Sequence, residues 1–127
     1  MTYYKFKLIN GYYWEDTQSD DFYLNELSNH IFDESKGWVQ SVKRTLLDPQ
    51  RHGILGNKSE VHKIDNTIQI MSQFGDNPEE YAIEIDRDVL LKLIDKWQEL
   101  YDKDSPEIYF IRHEDGTIEV TDHLPEK

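Results

Sequence analysis

Residues 86–121 read DRDVLLKLIDKWQELYDKDSPEIYFIRHEDGTIEVT, and this stretch decides the fold class. Leu90, Leu93, Ile94, Trp97, Leu100 and Tyr101 recur every three or four residues, the spacing that lines one stripe of a helix over about residues 87–103. Asp86 is placed to cap that helix. Asp88 with Lys92, and Glu99 with Lys103, add acid-before-base pairs one turn apart, and Ser105-Pro106 closes it. Residues 107–112 and 117–121 then flank Glu114-Asp115-Gly116, with Ile108, Phe110, Ile118 and Val120 available to a core. A helix that feeds a hairpin belongs to an antiparallel α+β protein.

Working upstream, residues 80–85 place Tyr81, Ile83 and Ile85 on one face of a strand, after the turn cluster Gly75-Asp76-Asn77-Pro78. Residues 59–74 read as a hairpin about Asp65-Asn66, with Val61, Ile64, Ile68, Ile70 and Phe74 as its apolar positions. Residues 48–58, with Gly53 and Gly56, read as a loop. A helix over 36–47 turns Trp38, Val39, Val42, Leu46 and Leu47 inward and stops before Asp48-Pro49. Another, over about 21–33, carries Phe22, Tyr23, Leu27 and Ile31 and is capped by Ser19 or Asp20. Residues 2–9 alternate, with Tyr4, Phe6 and Leu8 on one side, until Asn10-Gly11 ends the strand. The expected order is β-α-α-β-β-β-α-β-β: an α+β fold, with a largely antiparallel sheet and helices packed on one face. A chain of 127 residues is expected to form one domain, residues 1–127.

Composition narrows the chemistry. There is no cysteine, which removes disulfides, thiolate metal sites and cysteine nucleophiles and suits a reducing cytoplasm. No apolar run reaches the ~20 residues that span a bilayer, and the first residues lack the apolar region of a signal peptide. The formal charge is -12, from 26 acidic and 14 basic residues. Residues 36–63 hold six of the basic residues and only two acidic ones, so the rest of the chain is strongly acidic. Such a surface repels phosphate backbones and attracts basic partners.

Catalytic patterns are absent. Gly53-Ile54-Leu55-Gly56-Asn57-Lys58-Ser59 lacks the spacing and the Gly-Lys step of a phosphate-binding loop, and no Gly-x-Ser-x-Gly elbow occurs. The five histidines, His30, His52, His62, His113 and His123, do not share metal-ligand spacing. Adjacent acids at Glu15-Asp16, Asp20-Asp21, Glu79-Glu80 and Glu114-Asp115 flank turns rather than a desolvating cleft. No metal, cofactor or catalytic residue is therefore expected. Two segments stand out as partner-binding candidates: Tyr12-Tyr13-Trp14-Glu15-Asp16, aromatic residues followed by acid, and the acidic loop carrying Asp76, Glu79 and Glu80.

Gly56-Asn57-Lys58-Ser59-Glu60, the following hairpin, Ile83-Glu84-Ile85-Asp86-Arg87-Asp88 leading into Leu90-Leu91-Lys92-Leu93-Ile94-Asp95-Lys96-Trp97, and the final hairpin together resemble small bacterial immunity proteins. These are cytosolic antitoxins that protect cells from their own polymorphic or contact-dependent toxins. The resemblance covers the second half of the chain and assigns no individual residue. It implies a stoichiometric inhibitor that blocks a basic toxin domain, often a nuclease, without catalysis. A phage-type inhibitor of a nucleic-acid-processing defence enzyme is a related reading. A different class is an enzyme or small-ligand binder that holds an anion with Lys43, Arg44, Arg51 and Lys58, which requires those four groups to converge.

Overall fold

The computed structural model describes residues 1–17, 19–33, 35–73 and 82–125. The chain divides into two compact units, Met1–Asn25 with Leu93–Lys127, and Glu26–Lys92. Each contains one antiparallel sheet of four strands.

In the first unit β1 (Thr2–Ile9) and β2 (Tyr12–Thr17) form a hairpin, and β7 (Glu107–Arg112) and β8 (Ile118–Thr121) form another. The sheet order is β2-β1-β7-β8, so β1 is paired on both sides and β2 is an edge. Alternation along β1 sends Tyr4 and Phe6 into the core beside Ile108, Phe110 and Val120. The Phe6 and Phe110 rings meet edge to face at 5.7 Å. Asp21 closes one end of the unit: its carboxylate accepts from Leu24 N at 3.2 Å, from Arg112 at 3.1 Å and from Thr2 Oγ1 at 3.2 Å. Burial alone raises its pKa, but those donors outweigh it and hold the group below the ordinary aspartate value.

The second unit begins within α1 (Phe22–Leu27), which passes into a π-helical turn over Ser28–Phe32. The expected helix over 21–33 is therefore present in extent but widens in its second half, and its cap is Asp21. Helix α2 (Lys36–Leu47) starts where Ser35 Oγ accepts from Trp38 N at 3.1 Å and ends at Asp48. Val39, Val42 and Leu46 are buried, whereas Leu47, expected inward, is exposed. The sheet order is β3-β4-β5-β6, with β3 (Gly53–Leu55), β4 (Ser59–Ile64), β5 (Thr67–Ser72) and β6 (Ile83–Asp86). Asp65, at φ +55°, makes the tight β4–β5 turn. Val61, Ile68, Ile70, Ile83 and Ile85 share the core. Asp86 Oδ1 then accepts from Asp88 N and Val89 N and caps α3 (Arg87–Asp102), which belongs to the second unit as far as Lys92 and to the first from Leu93; its Leu90, Leu93, Ile94, Trp97 and Leu100 are buried.

The α+β class and the antiparallel pairing agree with the expectation. The strands, however, belong to two sheets rather than one, and two strands join the expected order: β2 replaces an irregular link and β3 occupies part of the loop.

Gly53 shows why β3 forms where it does. A Cβ there would lie 2.5 Å from the Val61 carbonyl oxygen, so only glycine lets the two backbones approach. Gly53→Ala is expected to cost about 1–3 kcal/mol in thermal or denaturant unfolding. Gly37→Ala in α2, where a Cβ meets nothing nearer than 3.8 Å, is expected to raise stability by up to about 1 kcal/mol.

Candidate protein-binding surface

Directly opposed residues of an antiparallel pair share a face. Lys7 opposes Trp14 and Ile9 opposes Tyr12, so these four project from the outer face of the β1–β2 hairpin. Tyr12 is 69% exposed and Trp14 58%, and Ile9 beside them is also exposed. A bulge interrupts the register, because Lys5 pairs with Thr17 while Phe6 pairs with Glu15, leaving Asp16 as the extra residue. The bulge turns Asp16 towards Lys5, whose Nζ lies 3.2 Å from both Asp16 and Glu107. Hydrogen bonds to Glu107 and Asp16 push the Lys5 ammonium above its ordinary pKa, and the same contact holds Asp16 down. The Lys5 ammonium also lies 5.7 Å from the Tyr109 ring centre, and Tyr3 meets that ring edge to face.

The other two residues of the segment are tied back to the unit by hydrogen bonds, Tyr13 half-buried and Glu15 still exposed. Tyr13 donates to the Ser105 carbonyl at 2.6 Å and its ring lies 5.2 Å from Tyr101. Desolvation, with Asp104 and Tyr101 nearby, pushes its phenol up to about 12. Glu15 accepts from the Tyr4 hydroxyl at 2.7 Å. Strand alternation therefore leaves Tyr12, Trp14 and Asp16 as the surface group and makes Tyr13 and Glu15 anchors. Asp76, Glu79 and Glu80 lie outside the described residues. Lys7 and Ile9 were missed as surface partners, although the period of two in residues 2–9 already set them on one side.

The second unit holds a buried constellation that sequence spacing did not single out. His30 Nδ1 is 2.6 Å from Ser59 Oγ, and His30 Nε2 is 3.1 Å from Glu26 Oε2. The residue types are those of a hydrolytic triad, but Ser59 is 0% exposed and a nucleophile needs access to its substrate. Its local role is to tie the π-helical turn to β4. The i, i+4 spacing of Glu26 and His30 was the available signal. Trp38 Nε1 donates to the His30 carbonyl at 2.9 Å, and its ring fills the space beneath Gly56, where a Cβ would meet it at 2.8 Å.

The four cations expected to converge on an anion site do not all line one cleft. Lys58 lines a cleft of about 600 Å³ with Asp33, Ser35, Trp38 and Asn57, while Arg51 lines another. Arg44 donates to Ser41 Oγ at 3.0 Å. His62 pairs with Glu60, His113 with Glu119 and His123 with Asp122. Among the described residues, no group of three or more His, Asp or Glu side chains could hold a metal ion.

Two outcomes test these local roles. Ser59→Ala is expected to lower stability by about 1–3 kcal/mol, because it leaves a buried ring nitrogen of His30 without its partner. For Tyr13 the folded pKa is raised, so its contribution is intact below the unfolded value near 10 and is lost as pH rises towards about 12. The native protein should therefore lose more thermal stability over that interval than Tyr13→Phe does. Compared with known proteins, the chain matches no family model, no curated protein and no solved structure.

Proposed function

We propose that the chain is a non-catalytic, immunity-like inhibitor that neutralises a basic toxin domain or nuclease in the bacterial cytoplasm by stoichiometric binding. The observation that carries this reading is the pair Tyr12 and Trp14, both more than half exposed on an edge strand. Large aromatic side chains bury much area at little entropic cost and dominate the energetics of protein interfaces. An edge strand also offers unpaired backbone groups to an incoming chain. The charge of -12 supplies long-range attraction for a basic partner and discourages nucleic acid itself.

The phosphate-mimic variant gains less support. On α3 the acids Asp88, Asp95, Glu99 and Asp102 are interleaved with Lys92 and Lys96, and Glu99 pairs with Lys96 and, just past the helix, with Lys103 at 3.5 and 3.2 Å. Regular, uncompensated acid is what imitation of a phosphate backbone requires.

The test is affinity capture from the native lysate at low and high salt, followed by titration of the captured protein. Tyr12→Ala and Trp14→Ala should each weaken binding by about 30-fold, the effect of a hot spot worth ~2 kcal/mol. The thermal midpoint should stay within about 1 °C of the native value, since neither side chain is part of the core. Capture that survives the double substitution would defeat the proposal, as would a partner without basic character.

A further inference from the structure

The second cleft that contains Arg51 has a volume of about 240 Å³ and is lined by Pro49, Arg51, His52, Lys63, Asp65 and Arg87. Three permanent cations face one carboxylate there, in a protein whose net charge is -12. The walls are fixed by backbone bonds, Lys63 N to the His52 carbonyl at 2.7 Å and Arg87 N to the Asn66 carbonyl at 2.8 Å. The Lys63 ammonium is itself oriented by the Thr45 and Asp48 carbonyls, at 2.8 and 2.7 Å.

The second observation concerns Arg87. Its Nε is buried and has no hydrogen-bond partner among the described residues, so only the rest of the guanidinium, on a side chain that is 37% exposed, can meet a ligand. The carboxylates near the two guanidinium groups leave them without a close ion pair. Arg87 reaches Asp88, and Arg51 reaches Asp48, only at 3.5 Å and towards solvent.

We propose that this cleft binds one phosphoryl group, from inorganic phosphate or from a small phosphate monoester. Two guanidinium forks match the oxygen edges of a tetrahedral oxyanion, Lys63 adds a point charge, and His52 offers a ring N–H. Asp65, which also lines the cleft, repels a second anionic group, which sets a single phosphoryl group apart from a polyphosphate or a nucleic acid strand. The site is independent of the β1–β2 hairpin and of the inhibitor reading.

Calorimetric titration and amide NMR with inorganic phosphate and with methyl phosphate, at constant ionic strength set by chloride, test the site. The expected result is saturable one-site binding with a dissociation constant below about 1 mM, shifts centred on His52, Lys63 and Arg87, and a thermal midpoint raised by the ligand. Arg51→Gln and Arg87→Gln should each weaken binding at least about tenfold, the scale of one lost charged hydrogen bond. Tighter binding of the methyl ester would assign the site to monoesters, and equal binding would assign it to phosphate itself. Shifts that chloride reproduces, a failure to saturate, or full binding by Arg51→Gln would overturn the proposal. Arg51 is the deciding position should Arg87→Gln fail to fold, because its side chain is 58% exposed and outside the core.

Discussion

The pairing of β1 with β7 is the contact on which the first unit rests. It sets Tyr4 opposite Phe110 and Phe6 opposite Ile108, joining residues more than a hundred positions apart. Bringing such distant segments together costs loop-closure entropy that grows only slowly with length, so a few well-packed aromatic and aliphatic pairs offset it. Once β1 is held on that side, its other edge is fixed for β2, and the alternation of β2 decides which aromatic side chains meet solvent. The surface formed by Tyr12 and Trp14 thus depends on a core pairing made at the opposite end of the chain.

Much of this architecture was legible because local signals agreed with the tertiary result. Asp48-Pro49 and Asp86 mark helix ends by chemistry that acts over three or four residues, and Asp65-Asn66 marks a turn in the same way. Strand β2 was not legible, since Tyr12, Tyr13 and Trp14 are aromatic on both faces and erase the alternation that identifies a strand. Strand β3 spans three residues and depends on a close backbone approach at Gly53, which no periodicity records. The division of the strands between two sheets is set by long-range pairing, and so is the separation of Lys58 from Arg51. Within the surface segment, composition singled out the aromatic run, but only register could separate the exposed Trp14 from the half-buried Tyr13.

Polar groups are distributed with a clear division of labour. Exposed ion pairs such as Lys103 with Glu99 contribute little individually. The buried Glu26–His30–Ser59 chain and the Asp21 cluster matter more, because each satisfies donors and acceptors that have lost water. Both specify geometry: one fixes the π-helical turn against β4, the other the start of α1 against β1 and β7. Asp16 does the same at the surface, where the bulge and its bond to Lys5 end the regular pairing of the edge strand and limit how far another chain can extend it.

The first unit is assembled from residues 1–25 and 93–127, and the residues of the second unit come between these in sequence. Synthesis runs in one direction at about 5–20 residues per second, so β1 and β2 leave the ribosome on the order of ten seconds before β7 exists to pair with them. Through that interval Tyr4 and Phe6 belong to a two-stranded hairpin, which is at best marginally stable in water. Residues 26–92, in contrast, carry all the strands of their own sheet and can pair them as they emerge. The nascent chain therefore completes its middle before its beginning. Its period of greatest exposure to aggregation ends only when the last hairpin arrives.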